Sequence, residues 1–501
     1  MNTNATPAIP TEEFIRRLRR FPRDQLLLAI ARETAKRNTE SPGVSSQPDP
    51  RGLRNIRDAY LFQVAGLCIA CCNNYRSAVP NEAAVGYLAN SLYLTRGPWF
   101  DNPLDTVAWQ RTLSQIAYLQ LPSQQSIRES WIRAHCLFGE DPVIGEPIAH
   151  ATFLRKQIGA TFSDLLRIGF LLHAVAQESA GAFPGELLRH RQLLDLFVSD
   201  LNARAIANVL GRWFAKPVNQ LATQARQRFL DSKDIWGFNS LVEWPVVALT
   251  GDRYVIPSAR AVMNRVNTQG LYFIARDALD AESNPSTFQE FTSSLGMRFE
   301  RYIGEQLKYI EFAKITSEIT YESSQKSVDY FIETPELIVL VETKSAAPDA
   351  RTRSGLFPEY GDLQLRLQRA CEQIGNSAEL IKAGHKQFPP LNDRELRGLV
   401  ISREQYFNVP MPSISDLVKP VEVPTNIISS HQFEQILGTI SKDSAVGHTL
   451  LNALAIDTNT VKYDLEPIPG SVNPLLAEMF RNWDPFEIAG ENLPAHLFDK
   501  S

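Results

Sequence analysis

The chain has 501 residues, 44% hydrophobic and 21% charged, with a formal net charge of −5. This is the make-up of an ordinary globular protein, too long for one core, so about two to four domains are expected. The negative balance gives no general signal for nucleic-acid binding, which would need a locally basic groove. No apolar run has the length to cross a bilayer; the best, Tyr60 to Cys72, is short and interrupted.

Residues 1–10 read as a loose tail without a basic n-region or apolar h-region, which makes the cytoplasm the expected compartment. Thr11 to Arg37 reads as a helix, or two broken near Pro22. Its arginines, Arg16, Arg17, Arg19, Arg20 and Arg23, are taken as a solvated helix face in preference to a phosphate-binding patch. Asn38 to Gly52, rich in Ser, Pro and Gly, reads as a linker. From about Asn55 to Lys233 helical spacing runs almost throughout, without a fixed repeat. Trp109, Trp131 and Trp213 are expected in its core, and His173 as a hydrogen-bonded core histidine. Five cysteines, three of them Cys68, Cys71 and Cys72, argue against a disulfide framework. No second Cys/His pair follows at finger spacing, so buried core thiols are expected.

Around Leu241 the texture changes to two strand-like runs joined at Thr250-Gly251-Asp252, a hairpin signal. Helical spacing returns at Leu295, Phe299, Tyr302, Ile303, Leu307 and Ile310. Two β-rich runs follow, Val328 to Ile332 and Leu337 to Val341, around Glu333-Thr334-Pro335-Glu336. An even loop would pair Ile332 with Leu337 and Asp329 with Leu340. Glu342 and Lys344 then share one face, with Asp329 diagonal to Glu342. After Lys344 comes a polar stretch with Arg351 and Arg353, then a helix containing Gln368 and Gln373, then a strand over LRGLVIS. Past Pro412 a further strand and helix are expected, then Pro-rich loops. His431 and His448 are read as structural.

Two carboxylates and an ammonium at the end of an apolar hairpin suit a hard divalent cation and phosphodiester hydrolysis. Here the residues resemble the PD-(D/E)xK nuclease superfamily, the restriction-endonuclease-like fold. The match is Asp329 and Glu342-Thr343-Lys344, over roughly 291–411, about a quarter of the chain. Val328 stands where that family has a proline. The resemblance implies Asp329 and Glu342 as metal ligands, Lys344 as the group that orients water and stabilises charge, and Mg²⁺ with Mn²⁺ as a substitute. It implies an auxiliary acid on the preceding helix; periodicity does not choose between Glu300 and Glu305, and the Phe-Glu pairing favours Glu300. It implies a supporting glutamine, for which Gln373 matches better than Gln368. Arg351 and Arg353 are expected on substrate phosphates.

The fold class expected is multidomain α and α/β: an all-helical N-terminal half followed by a restriction-endonuclease-like core with a mixed sheet flanked by helices. The domains expected are 1–52 (helix and linker), 53–240 (helical), 241–290 (β-containing connector), 291–411 (nuclease-like) and 412–501 (α/β extension). The function implied is a metal-dependent endonuclease, with DNA as the first-choice substrate and, by analogy with family members, a role in bacterial defence against foreign DNA. A partner protein, a nucleic-acid structure or a second copy would dock on the helical half, and no membrane is involved. The alternatives are a catalytically inactive nuclease-like binding protein and a nuclease acting on RNA. No phosphate loop, HExxH, GxSxG or GxGxxG occurs.

Overall fold

The computed structural model describes residues 9–39, 58–95, 115, 118, 126–139, 143–189, 202–232, 234–237, 239–279, 284–348, 353, 361–406, 422–440 and 473–483. They form two compact units. One draws on Met1–Ala134 and Ala151–Ala278, the other on His135–His150 and Leu279–Asp484. The expected linker, Trp109 and His448 lie outside the described residues.

The first unit is built around the helix Asp58–Cys71. Its side chains are apolar or small on every side, so nearly all are buried, as a central helix requires. Helices Thr11–Leu18, Arg23–Thr39, Glu82–Tyr93 and Val218–Ser232 pack on it with Phe14, Leu18, Leu27, Ile30, Leu88 and Leu221. The break between the first two falls around Pro22. Cys68, Cys71 and Cys72 are buried free thiols, and burial pushes Cys71 up to about 12. Trp131 and Trp213 are buried. His173 Nδ1 lies 3.2 Å from the Ala259 carbonyl.

This half is not all-helical. Ala182–Pro184 and Ala215–Pro217 are strands in a four-stranded sheet with Val246–Leu249 and Arg253–Val255. Runs of three residues ending in proline carry no alternation to read, and their partners lie far downstream. The hairpin expected at Thr250-Gly251-Asp252 supplies those partners, with positive φ at Gly251 (79°) and Asp252 (54°). Among the described residues no single helix is long and apolar enough to cross a membrane.

The second unit starts from helix α1 (Pro285–Leu307), with proline in its first turn. It buries Phe291, Leu295, Phe299, Tyr302, Ile303 and Leu307. The upstream segment 143–150 folds onto it. Arg298 pairs with Glu146 at 2.8 Å, both almost fully buried, and the His150 ring stacks on Phe291 at 5.2 Å.

A five-stranded mixed sheet follows. Strands β1 (Lys314–Ser317), β2 (Tyr330–Glu333) and β3 (Leu337–Lys344) are antiparallel neighbours in chain order. Strand β4 (Glu395–Ser402) pairs parallel with β3, and β5 (Thr425–Ser429) parallel with β4. Helix α2 (Gly361–Lys382) connects β3 to β4 and packs Leu367, Cys371, Ile374 and Ala378 onto Phe331, Ile338, Leu340 and Val400. The strand and helix expected past Pro412 are β5 and Ser430–Ile440. They belong to this same unit: Tyr302 Oη donates to Glu434 Oε1 at 2.6 Å, tying that helix to α1.

The hairpin register differs from the expected one by two residues. Ile332 pairs with Val339 and Glu333 with Ile338, and the Thr334 amide bonds back to the Leu337 carbonyl at 2.9 Å, so the turn closes over Thr334–Leu337. An even shift preserves which side chains share a face, so the apolar pattern satisfies either register and the turn decides.

Candidate active site

Strand β3 lies at the centre of the sheet, and its burial stops at its last two residues, Thr343 and Lys344, which are half-buried. Glu342 is therefore the last fully buried side chain of an otherwise apolar strand, at 2% exposure. Alternation sets Glu342 and Lys344 on the face of Ile338 and Leu340, the face that α2 covers. Gln373 reaches them from α2. Lys344 Nζ donates to Glu342 Oε1 and, at 3.1 Å, to Gln373 Oε1. Gln368 instead bonds Glu372 on the surface, at 3.1 Å.

Continuing the β2–β3 register by one step sets Asp329 opposite Glu342, where a diagonal placement was expected. Asp329 stands at a bend just outside β2 and turns its carboxylate onto Thr343. The Thr343 amide (2.7 Å) and hydroxyl (2.6 Å) both donate to Asp329 Oδ2. The carboxylate thus accepts an amide that the shorter β2 leaves without a ladder partner.

These carboxyls resist ionisation. Burial first, and the neighbouring Asp329 second, push Glu342 up to about 8, against the opposing pull of Lys344. Burial raises Asp329 as well, although both Thr343 donors oppose it. Glu300 on α1 is pushed up to about 7 by burial, then by Asp329 and Glu318. Acids that burden one another in a poorly solvated site make this end of the sheet the candidate for cation binding or proton transfer.

The expected residues come together unequally. Glu342, Lys344 and Gln373 are in direct contact, and Asp329 joins through Thr343 and through its charge. Glu300 is linked through its backbone: its carbonyl accepts from Tyr330 Oη at 3.0 Å. A Cβ at Gly304 would lie 2.4 Å from that same hydroxyl, so glycine there lets Tyr330 reach Glu300. Among the described residues no group of three His, Cys, Asp or Glu side chains is gathered to hold a metal. Arg351 lies outside the described residues. Arg353, expected on phosphates, is buried at 8% exposure.

Sequence reasoning passed over Thr343, Glu318 and Lys326. Thr343 occupies the variable position of Glu-x-Lys, and its role follows from the shortness of β2. Glu318 and Lys326 pair at 2.9 Å across a two-stranded hairpin of two residues per strand, too short to show a period. The pairing with Glu318 raises Lys326 further. No protein-family model, curated protein or solved structure matches the chain.

Proposed function

We propose that the chain is a metal-dependent nuclease that hydrolyses phosphodiester bonds, with DNA as its substrate and Mg²⁺ as its ion. The observation that carries this is the meeting of Glu342, Lys344 and Gln373 at the end of β3, with Asp329 fixed opposite by Thr343. The order α1, antiparallel β1–β2–β3, α2, parallel β4 supports the likeness to the restriction-endonuclease-like fold. The donors suit a hard cation: all are carboxylate oxygens, and Glu342 Oε2 is buried without a hydrogen-bond partner among the described residues. Asp329 and Glu342 would hold the ion, with water and substrate oxygens completing its shell.

A bound Mg²⁺ supplies charge neutralisation at the scissile phosphate and acidifies a water. Lys344 donates a proton-rich, positively charged group at the point where charge develops on phosphate oxygens. Gln373 holds that ammonium from the α2 side, so it is not committed to Glu342 alone. Thr343 fixes the Asp329 carboxylate by two donors, which preorganises it before substrate arrives. The direct ion pair of Lys344 with Glu342, which already balances that carboxylate, favours one rival: a nuclease-like fold that binds nucleic acid without cutting.

The two readings separate in one assay. Wild type, Asp329→Ala and Lys344→Ala are incubated with single- and double-stranded DNA and with RNA, in Mg²⁺, Mn²⁺ or EDTA. Metal-dependent cutting by wild type, lost in both folded variants, supports the nuclease. Failure of wild type to cut any strand type with either metal overturns it.

A further inference from the structure

The N-terminal unit carries a cavity whose chemistry the β3 site does not use. It has a volume of about 930 Å³ and opens beside the helix Thr11–Leu18. Ile15, Arg16, Arg19, Arg20, Arg76 and Phe229 line it, with Glu12 as the one carboxylate among the described lining residues. Among the described lining residues, four arginines against one glutamate leave +3, in a chain whose net charge is −5.

Two of the four guanidiniums are positioned by the protein. Arg16 is paired with Glu13, and Arg19 Nε donates to the Cys71 carbonyl at 3.1 Å, at the end of the central helix. The other two are uncommitted. The side chains of Arg20 and Arg76 are exposed and meet no hydrogen-bond or ion-pair partner among the described residues. Gathered like charges repel one another and create a potential that an anion relieves. Guanidinium groups suit phosphate in particular, because their paired donors match its oxygens. The remaining described lining mixes the hydroxyls of Thr11 and Ser77 with Ile15, Ala78 and the half-buried Phe229, and the ring of Phe229 offers a surface for a base. The volume falls in the range of small-ligand sites, about 300–1,000 Å³.

We propose that this cavity binds a nucleoside phosphate, with the phosphate on Arg20 and Arg76 and the base against Phe229. The ligand would come either as a free nucleotide or as a segment of a nucleic-acid strand. The basic run read from the sequence as a solvated face is then one wall of a binding site. This inference does not depend on metal-dependent cleavage.

The test uses the full chain in EDTA, so that no cutting enters. Calorimetry follows AMP, and fluorescence anisotropy follows a short fluorescein-labelled DNA strand, for wild type and the Arg20→Glu/Arg76→Glu variant. Both positions are exposed, and a thermal melt followed by circular dichroism verifies the fold. Loss of AMP binding by at least about tenfold in the variant supports the site and identifies a free nucleotide as its source. If AMP does not bind wild type, a tenfold or greater weakening on the strand, with a shallower salt dependence, supports the site with a strand as its source. Binding of neither probe by wild type, or equal binding by the variant, overturns the proposal. Single-turnover cleavage by the same variant in Mg²⁺ at saturating strand, where weaker binding no longer limits the rate, is measured separately and reports on the β3 chemistry.

Discussion

Gln373 Oε1 accepts from Lys344 Nζ at 3.1 Å, so a side chain of helix α2 holds the ammonium that β3 delivers. Without this second acceptor Lys344 would be left to Glu342. Lys344→Ala is therefore expected to lower single-turnover cleavage by about 10²–10³-fold, the usual cost of a lost charge-stabilising donor. Gln373→Ala is expected to cost less, about tenfold, because it loosens the lysine without removing it. Single-turnover rates in saturating Mg²⁺ decide both. Equal losses in the two variants would mean that Gln373 acts directly, and wild-type rates in Lys344→Ala would remove the lysine from the mechanism.

Asp329 both serves the site and burdens it. Its charge helps to push Glu342 up to about 8 and Glu300 up to about 7. Asp329→Asn keeps an oxygen for the Thr343 donors and deletes the charge. In EDTA the variant is expected to be more stable than wild type by about 0.5–2 kcal/mol, as at other sites where function holds like charges together. In Mg²⁺ it is expected to lose cleavage. Calorimetric unfolding in EDTA, paired with the cleavage assay, checks the opposed pair of effects. A variant that loses both stability and activity would make Asp329 a structural residue.

Much of the second unit was legible because its signals are local. The stripe from Leu295 to Leu307 is buried as its spacing required, and the two β-runs pair as a hairpin. The register was two residues out because the apolar faces of Phe331 and Leu340 tolerate any even shift, leaving the choice to a turn with no glycine to announce it. The meeting of Lys344 with Glu342 and Gln373 was legible because one strand and one helix carry them. Thr343 was missed because its role depends on where β2 stops. Segment 143–150 was invisible to periodicity: Glu146 and Arg298 are 152 positions apart, and nothing local pairs them. The strands at Ala182–Pro184 and Ala215–Pro217 failed for the same reason, being held by pairing across distance.

Gly304 and Tyr330 form a coupled pair. The close approach of the tyrosine hydroxyl to the glycine leaves no room for a methyl group, and the hydroxyl bonds the Glu300 carbonyl. Gly304→Ala is expected to destabilise the protein by about 1–3 kcal/mol through overpacking, even though alanine is the better helix former. Tyr330→Phe removes the clashing oxygen and should recover part of that loss in the double variant. Urea unfolding of both single variants and the double variant gives the coupling energy. Strict additivity would show that the clash is relieved elsewhere.

His150 supplies a pH dependence of definite sign. Burial, and after it the charge of Arg298, lower its pKa to about 3, while its ring stacks on Phe291. In the unfolded chain it titrates near its ordinary value of about 6.5. On acidification the unfolded state therefore takes up the proton first. The stability contributed by neutral His150 is fully present above pH 6.5 and is lost progressively as pH falls towards 3. For one such site the loss between pH 7 and pH 5 is about 2 kcal/mol. His150→Phe keeps a ring between Phe138 and Phe291 and cannot titrate. Urea unfolding at the two pH values should show a smaller drop in the variant than in wild type, by about that amount, whatever the variant's stability at pH 7. Parallel pH profiles would mean that His150 titrates at the same pH in the folded and the unfolded chain, so that burial beside Arg298 does not shift it.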